Sequence, residues 1–363
     1  MLGDLPDNAQ IDVITTLPNR YYSFSADAPE TENDGRVTIR RIRLPTHHSG
    51  MVDQAKAFWV YAAKVLGLIR GKNYNLVFAT SSRMFTGFLG AICAKHLHAP
   101  LYLDIRDIFN DTIRDVLNGK PTSLFMPMLE AIERFTISQA KRVNVVSEGF
   151  LPYFHSRYPK QSFSFFPNGV DDEFINYDFN KSTNEDGSSR RILYAGNIGQ
   201  GQGLHRIIPD LASMTASDDF VFDVIGDGGA RDKLERDLAK SNIQNVQIHG
   251  PVIRAELMKL YRNADILFLH LNDLNAFKKV LPSKLFEYAA TGKPILAGIA
   301  GYSAQFLLKN VCNAVVFPPC DTAAAKNALY SLNPKITDRT DFISRFRRDN
   351  LMHKLVEDII GLI

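Results

Sequence analysis

The chain has 363 residues, 45% of them hydrophobic and 22% charged, and a formal net charge of +3. That is globular composition and more chain than one hydrophobic core usually serves, so two domains are expected. No Lys/Arg cluster is interleaved with aromatic residues, which argues against a nucleic-acid role. The three cysteines Cys93, Cys312 and Cys320 are odd in number and match no zinc-ligand spacing, so neither a disulfide framework nor a metal site is expected. A reducing, cytoplasmic setting fits them. The first twenty residues are polar and lack the apolar core of a secretory leader, and no run of 18 apolar residues occurs anywhere. Contact with a membrane surface stays open, because residues 1–160 hold 19 Lys+Arg against 15 Asp+Glu.

In chain order, short runs of β-forming residues alternate with segments of helical period, the pattern of βαβ units on a parallel sheet. Strands are expected at IDVIT (11–15), VTIRRI (37–42), NLVFA (75–79), PLYLDI (100–105) and VNVV (143–146), with helices near 50–69, 84–97, 122–140 and 147–157. A polar Asn/Ser/Asp/Gly stretch over 177–191 reads as an interdomain linker. The alternation then resumes with RILYA (191–195), FVFDVI (220–225), VQIHG (246–250), DILFL (265–269), PILAG (294–298) and AVVF (314–317). The connecting helices are expected near 203–214, 229–240, 254–262, 283–291, 302–309 and 322–331. The segment 341–363 has helical period and no strand after it, so it is free to pack back on the first domain. The expected division is therefore 1–170, a linker over 171–190, 191–340, and the terminal helical segment. A doubly wound domain usually opens with a buried strand and a glycine-rich turn, and the first domain reads as lacking that first βα unit.

Three elements of the second half could carry chemistry. GNIGQGQG (196–203) follows a strand directly and leads into a helix, a geometry that lets backbone N–H groups approach phosphate. It does not match G-x-G-x-x-G and no acidic ribose ligand follows about 20 residues on, which disfavours a nicotinamide dehydrogenase. A tight turn that needs small residues explains it equally well. IGDGG (225–229) ends the next strand in the same manner, so both turns lie at the carboxyl ends of strands in one sheet. LPSKLFEYAATGKP (281–294) starts a helix at Ser283 and stops it at Gly292. Lys284 sits in its first turn, where a cation opposes the helix dipole unless an anion such as a diphosphate is nearby. Glu287, three residues on, shares its face and could accept two ribose hydroxyls, or the two could form an ordinary surface ion pair.

The set resembles the retaining glycosyltransferases of family 4, with the GT-B fold of two Rossmann-like domains facing across a cleft. Within that family it is most similar to the subgroup that builds bacterial surface polysaccharides. The matching pieces are SEGF (147–150), FPNGVD (166–171), YAGNIG (194–199), VIGDG (224–228), LYRNAD (260–265) and PSKLFEY (282–288), with LDIRD (103–107) a looser match upstream. The resemblance implies a nucleotide-sugar donor, UDP-linked rather than GDP-linked. It implies a donor site of Gly196, Asn197, Gly199, Gly226, Asp227, Ser283, Lys284, Leu285 and Glu287, with Lys284 on the diphosphate and Glu287 on the ribose. It also implies a glycan or polyprenyl-linked acceptor, peripheral contact with the inner membrane face, and no metal, since Lys284 and helix N-termini stabilise the departing diphosphate.

Two positions depart from the family pattern. Lys279 stands where an acid would precede Glu287 by eight residues, and Gln200 and Gln202 replace a basic residue after the glycine turn. Arg83 or Lys279 could help neutralise the phosphates. Asp107, after the strand PLYLDI, is the candidate polar group on the acceptor side, and a salt-bridge or capping role in an Asp/Arg-rich loop explains it as well. Two other readings stand beside transfer: a nucleotide-sugar-binding homologue without activity, and a nucleotide-sugar epimerase, which would need acidic pairs in the cleft from both domains.

Overall fold

The computed structural model describes residues 2–17, 28–45, 51–81, 83–116, 125–180 and 189–363. Of the 177–191 stretch read as a linker, residues 181–188 lie outside the described residues. The first half contains the strands β1 (Ile11–Thr16), β2 (Thr31–Asp34), β3 (Val37–Ile42), β4 (Val77–Ser81), β5 (Leu101–Ile105), β6 (Ala140–Val145) and β7 (Phe163–Phe165). Its helices are α1 (Met51–Ile69), α2 (Met84–Leu97), α3 (Phe109–Val116), α4 (Met126–Gln139), α5 (Leu151–Arg157) and α6 (Asp172–Asn176). The second half contains β8 (Arg190–Ala195), β9 (Phe220–Ile225), β10 (Val246–His249), β11 (Ile266–His270), β12 (Ile295–Gly298) and β13 (Ala314–Phe317). Between and after these strands run α7 (Ile208–Met214), α8 (Arg231–Lys240), α9 (Arg254–Asn263), α10 (Ser283–Thr291), α11 (Tyr302–Asn310), α12 (Thr322–Ser331), α13 (Thr340–Phe346) and α14 (Arg348–Ile360).

The second half is one six-stranded sheet of order β10-β9-β8-β11-β12-β13, parallel throughout. Strands covered on both faces must be apolar on both, and β8 shows how the sequence meets that demand. Leu193 and Ala195 point into one core with Tyr288, Leu285 and Phe286 of α10. Ile192 and Tyr194 alternate onto the other face, against Leu204, Ile208 and Leu211.

The first half carries two sheets, of orders β1-β3-β2 and β4-β5-β6-β7. Among the described residues β1 has β3 as its strand neighbour and β4 has β5, a division the strand pattern did not anticipate. Side chains tie the two pieces together. Asp12 of β1 accepts hydrogen bonds from Lys72 Nζ at 2.6 Å, Tyr74 Oη at 2.5 Å and Arg40 Nη1 at 2.7 Å. Burial alone would raise its carboxyl pKa, and the three donors outweigh that and hold it well below the usual carboxylate range. A carboxyl depressed in this way contributes stability that is present above its unfolded pKa and lost as pH falls through the folded one. Asp12→Asn is therefore expected to cost about 2–3 kcal/mol at pH 7 and less below pH 3. Chemical denaturation at the two pH values measures both.

Three elements escaped the sequence pattern. The FNDTIRDV segment is polar enough to read as loop, yet Phe109 and Ile113, one turn apart, pack on Met84, Met126 and Leu129 and make it helix α3. The polar β2 exists because it pairs antiparallel with β3 across the turn at Gly35, and β7 pairs in parallel with β6. The segment after α12 forms two helices, and α14 crosses to the first half. There Leu355 and Ile359 pack with Tyr102, whose hydroxyl donates to Asp358 Oδ2 at 2.8 Å.

Candidate functional site

The two glycine turns and the start of α10 converge at the carboxyl edge of the large sheet. Gly196 donates its amide to Ile225 O at 2.8 Å and Ile198 to Asp227 O at 2.8 Å, so the turns after β8 and β9 are zipped together. A Cβ on Gly226 would lie 1.8 Å from Gly196 O, and Gly226 holds φ at +146°, so any side chain there would force the turns apart. A Cβ on Gly196 would lie 2.0 Å from Lys284 Nζ. The glycine thus makes room for the lysine as well as for a backbone turn.

Helix α10 opens at Ser283 after Pro282, with no side-chain hydrogen bond to cap its first turn, although the Leu285 amide donates to Pro282 O at 3.1 Å. Lys284 is half-buried, with Nζ 3.9 Å from the centre of the Tyr194 ring. Loss of water around the amine pulls its pKa down to about 7, and the Glu287 carboxylate only partly restores it. The Glu287 carboxylate is the charge that offsets this amine, and no salt bridge joins the two among the described residues. The amine is poised for an anionic ligand.

Glu287 is not paired with Lys284; Arg254 Nη1 donates to its Oε1 at 3.2 Å and Tyr261 Oη to its Oε2 at 3.0 Å. Arg254 is itself placed by Glu173, by Asp171 at 3.5 Å and by the Phe174 ring at 4.6 Å. Each carboxylate oxygen keeps acceptor capacity for a further donor. Ser283 is exposed, whereas Leu285 is fully buried in the core, so its side chain faces away from the turns. Asn197 Nδ2 donates to Gln202 Oε1 at 2.9 Å, and Gly199 donates its amide to the same oxygen at 3.3 Å. Gln202 therefore braces the turn. Asp227 Oδ1 accepts from the amide of Gly228 at 2.8 Å.

Two supports of the glycine turn were not singled out from the sequence. His270 at the end of β11 is fully buried; its Nε2 accepts the Cys320 amide at 3.0 Å, which leaves the proton on Nδ1, 2.6 Å from Gln202 O. Burial pushes its pKa down to about 4, so it stays neutral at ordinary pH. Asn272 adds bonds from its amide to Gly201 O at 2.8 Å and from Nδ2 to Gln200 O at 3.0 Å. The available signal was two polar residues closing an otherwise apolar strand.

Across the cleft, Asp107 follows β5 and lines a cavity of about 40 Å³ with Ser81, the exposed Arg83 and Glu133. Burial raises the pKa of Asp107, and Asp111 adds to the effect, while Thr112 Oγ1 donates to it weakly at 3.4 Å. Burial likewise raises Glu133, although Tyr153, Tyr158 and Asn110 all donate to it. The cavity holds a water or two rather than a sugar. Lys279 does not reach towards the glycine turns. It pairs with Asp111 of α3, and its carbonyl accepts from Ser147 Oγ at 2.6 Å, which joins the two halves below the cleft. Among the described residues no cluster of three His, Cys, Asp or Glu stands where it could hold a metal ion.

Two Rossmann-like halves facing across such a cleft define the GT-B fold. Residues 177–348 match the family model "Glycosyl transferases group 1", so the second half carries a group 1 glycosyl transferase domain. The chain is 24% identical over 190 residues to the putative colanic acid biosynthesis glycosyl transferase WcaI of Escherichia coli (strain K12), a match that covers 47% of this chain and 43% of that protein. It thus spans less than half the length of this relative. Among solved structures, the sucrose-phosphate synthase of Thermosynechococcus elongatus superposes with a TM-score of 0.73 at 15% identity, over 97% of this chain and 89% of the other. HepE of Anabaena, in complex with UDP-glucose, gives 0.67 at 16% identity over 90% and 86%. At these identities the likeness concerns the fold.

Proposed function

We propose that the chain is a retaining, metal-independent glycosyltransferase of family 4 that moves a sugar from a UDP-sugar to a glycan or lipid-linked glycan acceptor in surface-polysaccharide synthesis. The observation that carries the reading is Lys284, a half-buried amine in the first turn of α10, which no side chain caps, pressed against the Gly196 turn. The UDP-glucose complex of HepE and the polysaccharide role in the name of the Escherichia coli relative point the same way. The donor set is Gly196, Asn197, Gly199, Gly226, Asp227, Ser283, Lys284 and Glu287, with Leu285 contributing through its backbone alone.

In this reading the diphosphate lies over the α10 N-terminus, where Lys284 and the free amides offset the charge that develops as it departs. The acceptor oxygen bonds to C1 of the sugar as the C1–phosphate oxygen bond breaks, on the same face. The departing phosphate oxygen takes the hydroxyl proton, so that UDP and the glycosylated acceptor result. Asp107, which needs its carboxylate at the cleft mouth, orients the acceptor hydroxyl. An epimerase finds less support, because the two acids whose pKa burial raises among the described residues, Asp107 and Glu133, both belong to the first half.

The test is a transfer assay with UDP-sugars and a lipid-linked glycan acceptor, run with and without EDTA. Turnover unaffected by EDTA is expected, with Asp107→Asn losing about 100-fold in kcat while UDP affinity stays the same. UDP binding without transfer to any acceptor would mark a donor-binding homologue instead. For location we place the first half against the inner membrane face. Trp59 of α1 is 72% exposed, with Phe125 and Met128 at the start of α4 60% and 52% exposed. Flotation with anionic vesicles is expected to carry the wild type and not a Trp59→Ser, Met128→Ser variant.

A further inference from the structure

Behind the large sheet, away from the cleft, a pocket of about 270 Å³ lies between the end of α11 and the start of α13. Cys312 stands exposed on its wall. Arg339, only 5% exposed, donates from Nη1 to Cys312 Sγ at 3.1 Å. Its Nε and Nη2 are buried with no acceptor among the described residues, so a thiol sulfur is the hydrogen-bond partner of a buried guanidinium. A buried cation is strongly disfavoured without a counter-charge, and a sulfur that loses its proton supplies one.

We propose that Cys312 is a reactive thiolate, held in that form by Arg339 and open to mixed-disulfide formation with small disulfides that enter this pocket. The surrounding charges agree. Partial burial pushes the Cys312 thiol up, but a hydrogen bond from Thr337 and the Arg339 guanidinium outweigh it and leave the thiol below its ordinary value. Lys309 of α11 lines the same pocket. Of the two carboxylates at the pocket, Asp338 faces Arg339 while also accepting the Thr340 amide at 2.9 Å, and Asp341 pairs with Arg345 at 3.5 Å. Cys93 differs: it is buried, and burial pushes its thiol up to about 11.

In the reaction, the Cys312 sulfur attacks one sulfur of R–S–S–R. The new protein–S–S–R bond forms as the old one breaks, and RS⁻ leaves to take a proton from water. The protein thiol is oxidised and half of the small disulfide is reduced. The pocket shares Phe342 with the core behind α10, where that ring lies 6.1 Å from Phe286, and Thr337 donates its amide to Gly292 O at 2.9 Å.

The experiment treats the full chain with glutathione disulfide at pH 7 and maps the adducts by mass spectrometry, then follows iodoacetamide labelling of each cysteine against pH. One adduct on Cys312, reversed by dithiothreitol and lost in Cys312→Ser, is expected. Labelling of Cys312 should rise at lower pH than that of free glutathione. Arg339→Gln should slow it at pH 7 by roughly 5-fold or more, and Thr337→Val gives a second test should the arginine variant fail to fold. A Cys312 labelling profile no different from that of free glutathione, or a Cys312 rate indifferent to both substitutions, overturns the proposal.

Discussion

Lys284→Met is expected to abolish most UDP binding while making the protein more stable. Methionine fills the same channel beside Tyr194 and Gly196 without the cost of stripping water from an amine or of placing a cation at a helix start. Calorimetry should show UDP affinity reduced by roughly 30- to 150-fold, about 2–3 kcal/mol, with unfolding shifted upward by about 1 kcal/mol. The wild type should also bind UDP with proton uptake. Lys284 has a pKa of about 7 in the free protein, and a diphosphate beside it raises that value. Affinity should therefore be highest below pH 7 and fall towards tenfold per pH unit above it, with uptake of about 0.9 proton at pH 8. Titrations in buffers of different ionisation enthalpy measure the uptake directly. No buffer dependence at pH 8, together with wild-type affinity in Lys284→Met, removes the lysine from the donor site.

The second large effect concerns Glu287. Truncation to alanine would leave Tyr261 and Arg254 without their acceptor and would confuse folding with binding. Glu287→Gln keeps an oxygen for one of them and removes the charge that two ribose hydroxyls would share. UDP affinity should drop by about 1–3 kcal/mol in this variant, and by less for 2′-deoxy-UDP, which lacks one of the hydroxyls. The diagnostic is the ratio. The wild type should prefer UDP to its deoxy analogue, and the variant should hardly distinguish them. A preference that survives the substitution would falsify the ribose assignment.

RILYA alternates its side chains between two apolar faces, so its strand character and its burial were both local properties. The turn GNIGQGQG and the helix start PSKLFE could be recognised in the same way, because glycine freedom and an N-terminal cation are read from adjacent residues. Leu285 shows the limit of carrying over a motif whole, since it belongs to the matching string and yet points into the core. Lys279 shows another: as a free cation it could have served the phosphates, but Asp111, 168 residues away, takes it. The supports of the site were equally out of reach. Arg254 and Tyr261 meet Glu287 across 33 and 26 residues, and His270 meets the Gln202 carbonyl across 68.

The sequence by itself determined the alternation of strands and helices, the glycine turns and the polar start of α10, because these depend on periodicity and backbone freedom within a few residues. Tertiary structure alone decided the division of the first half into two sheets, the formation of α3 and β2, and the return of α14 to Tyr102. It also decided the charge state of each functional group. A pKa follows from how much water remains around a side chain and which charges face it, and both are set by residues remote in the chain that only folding brings together.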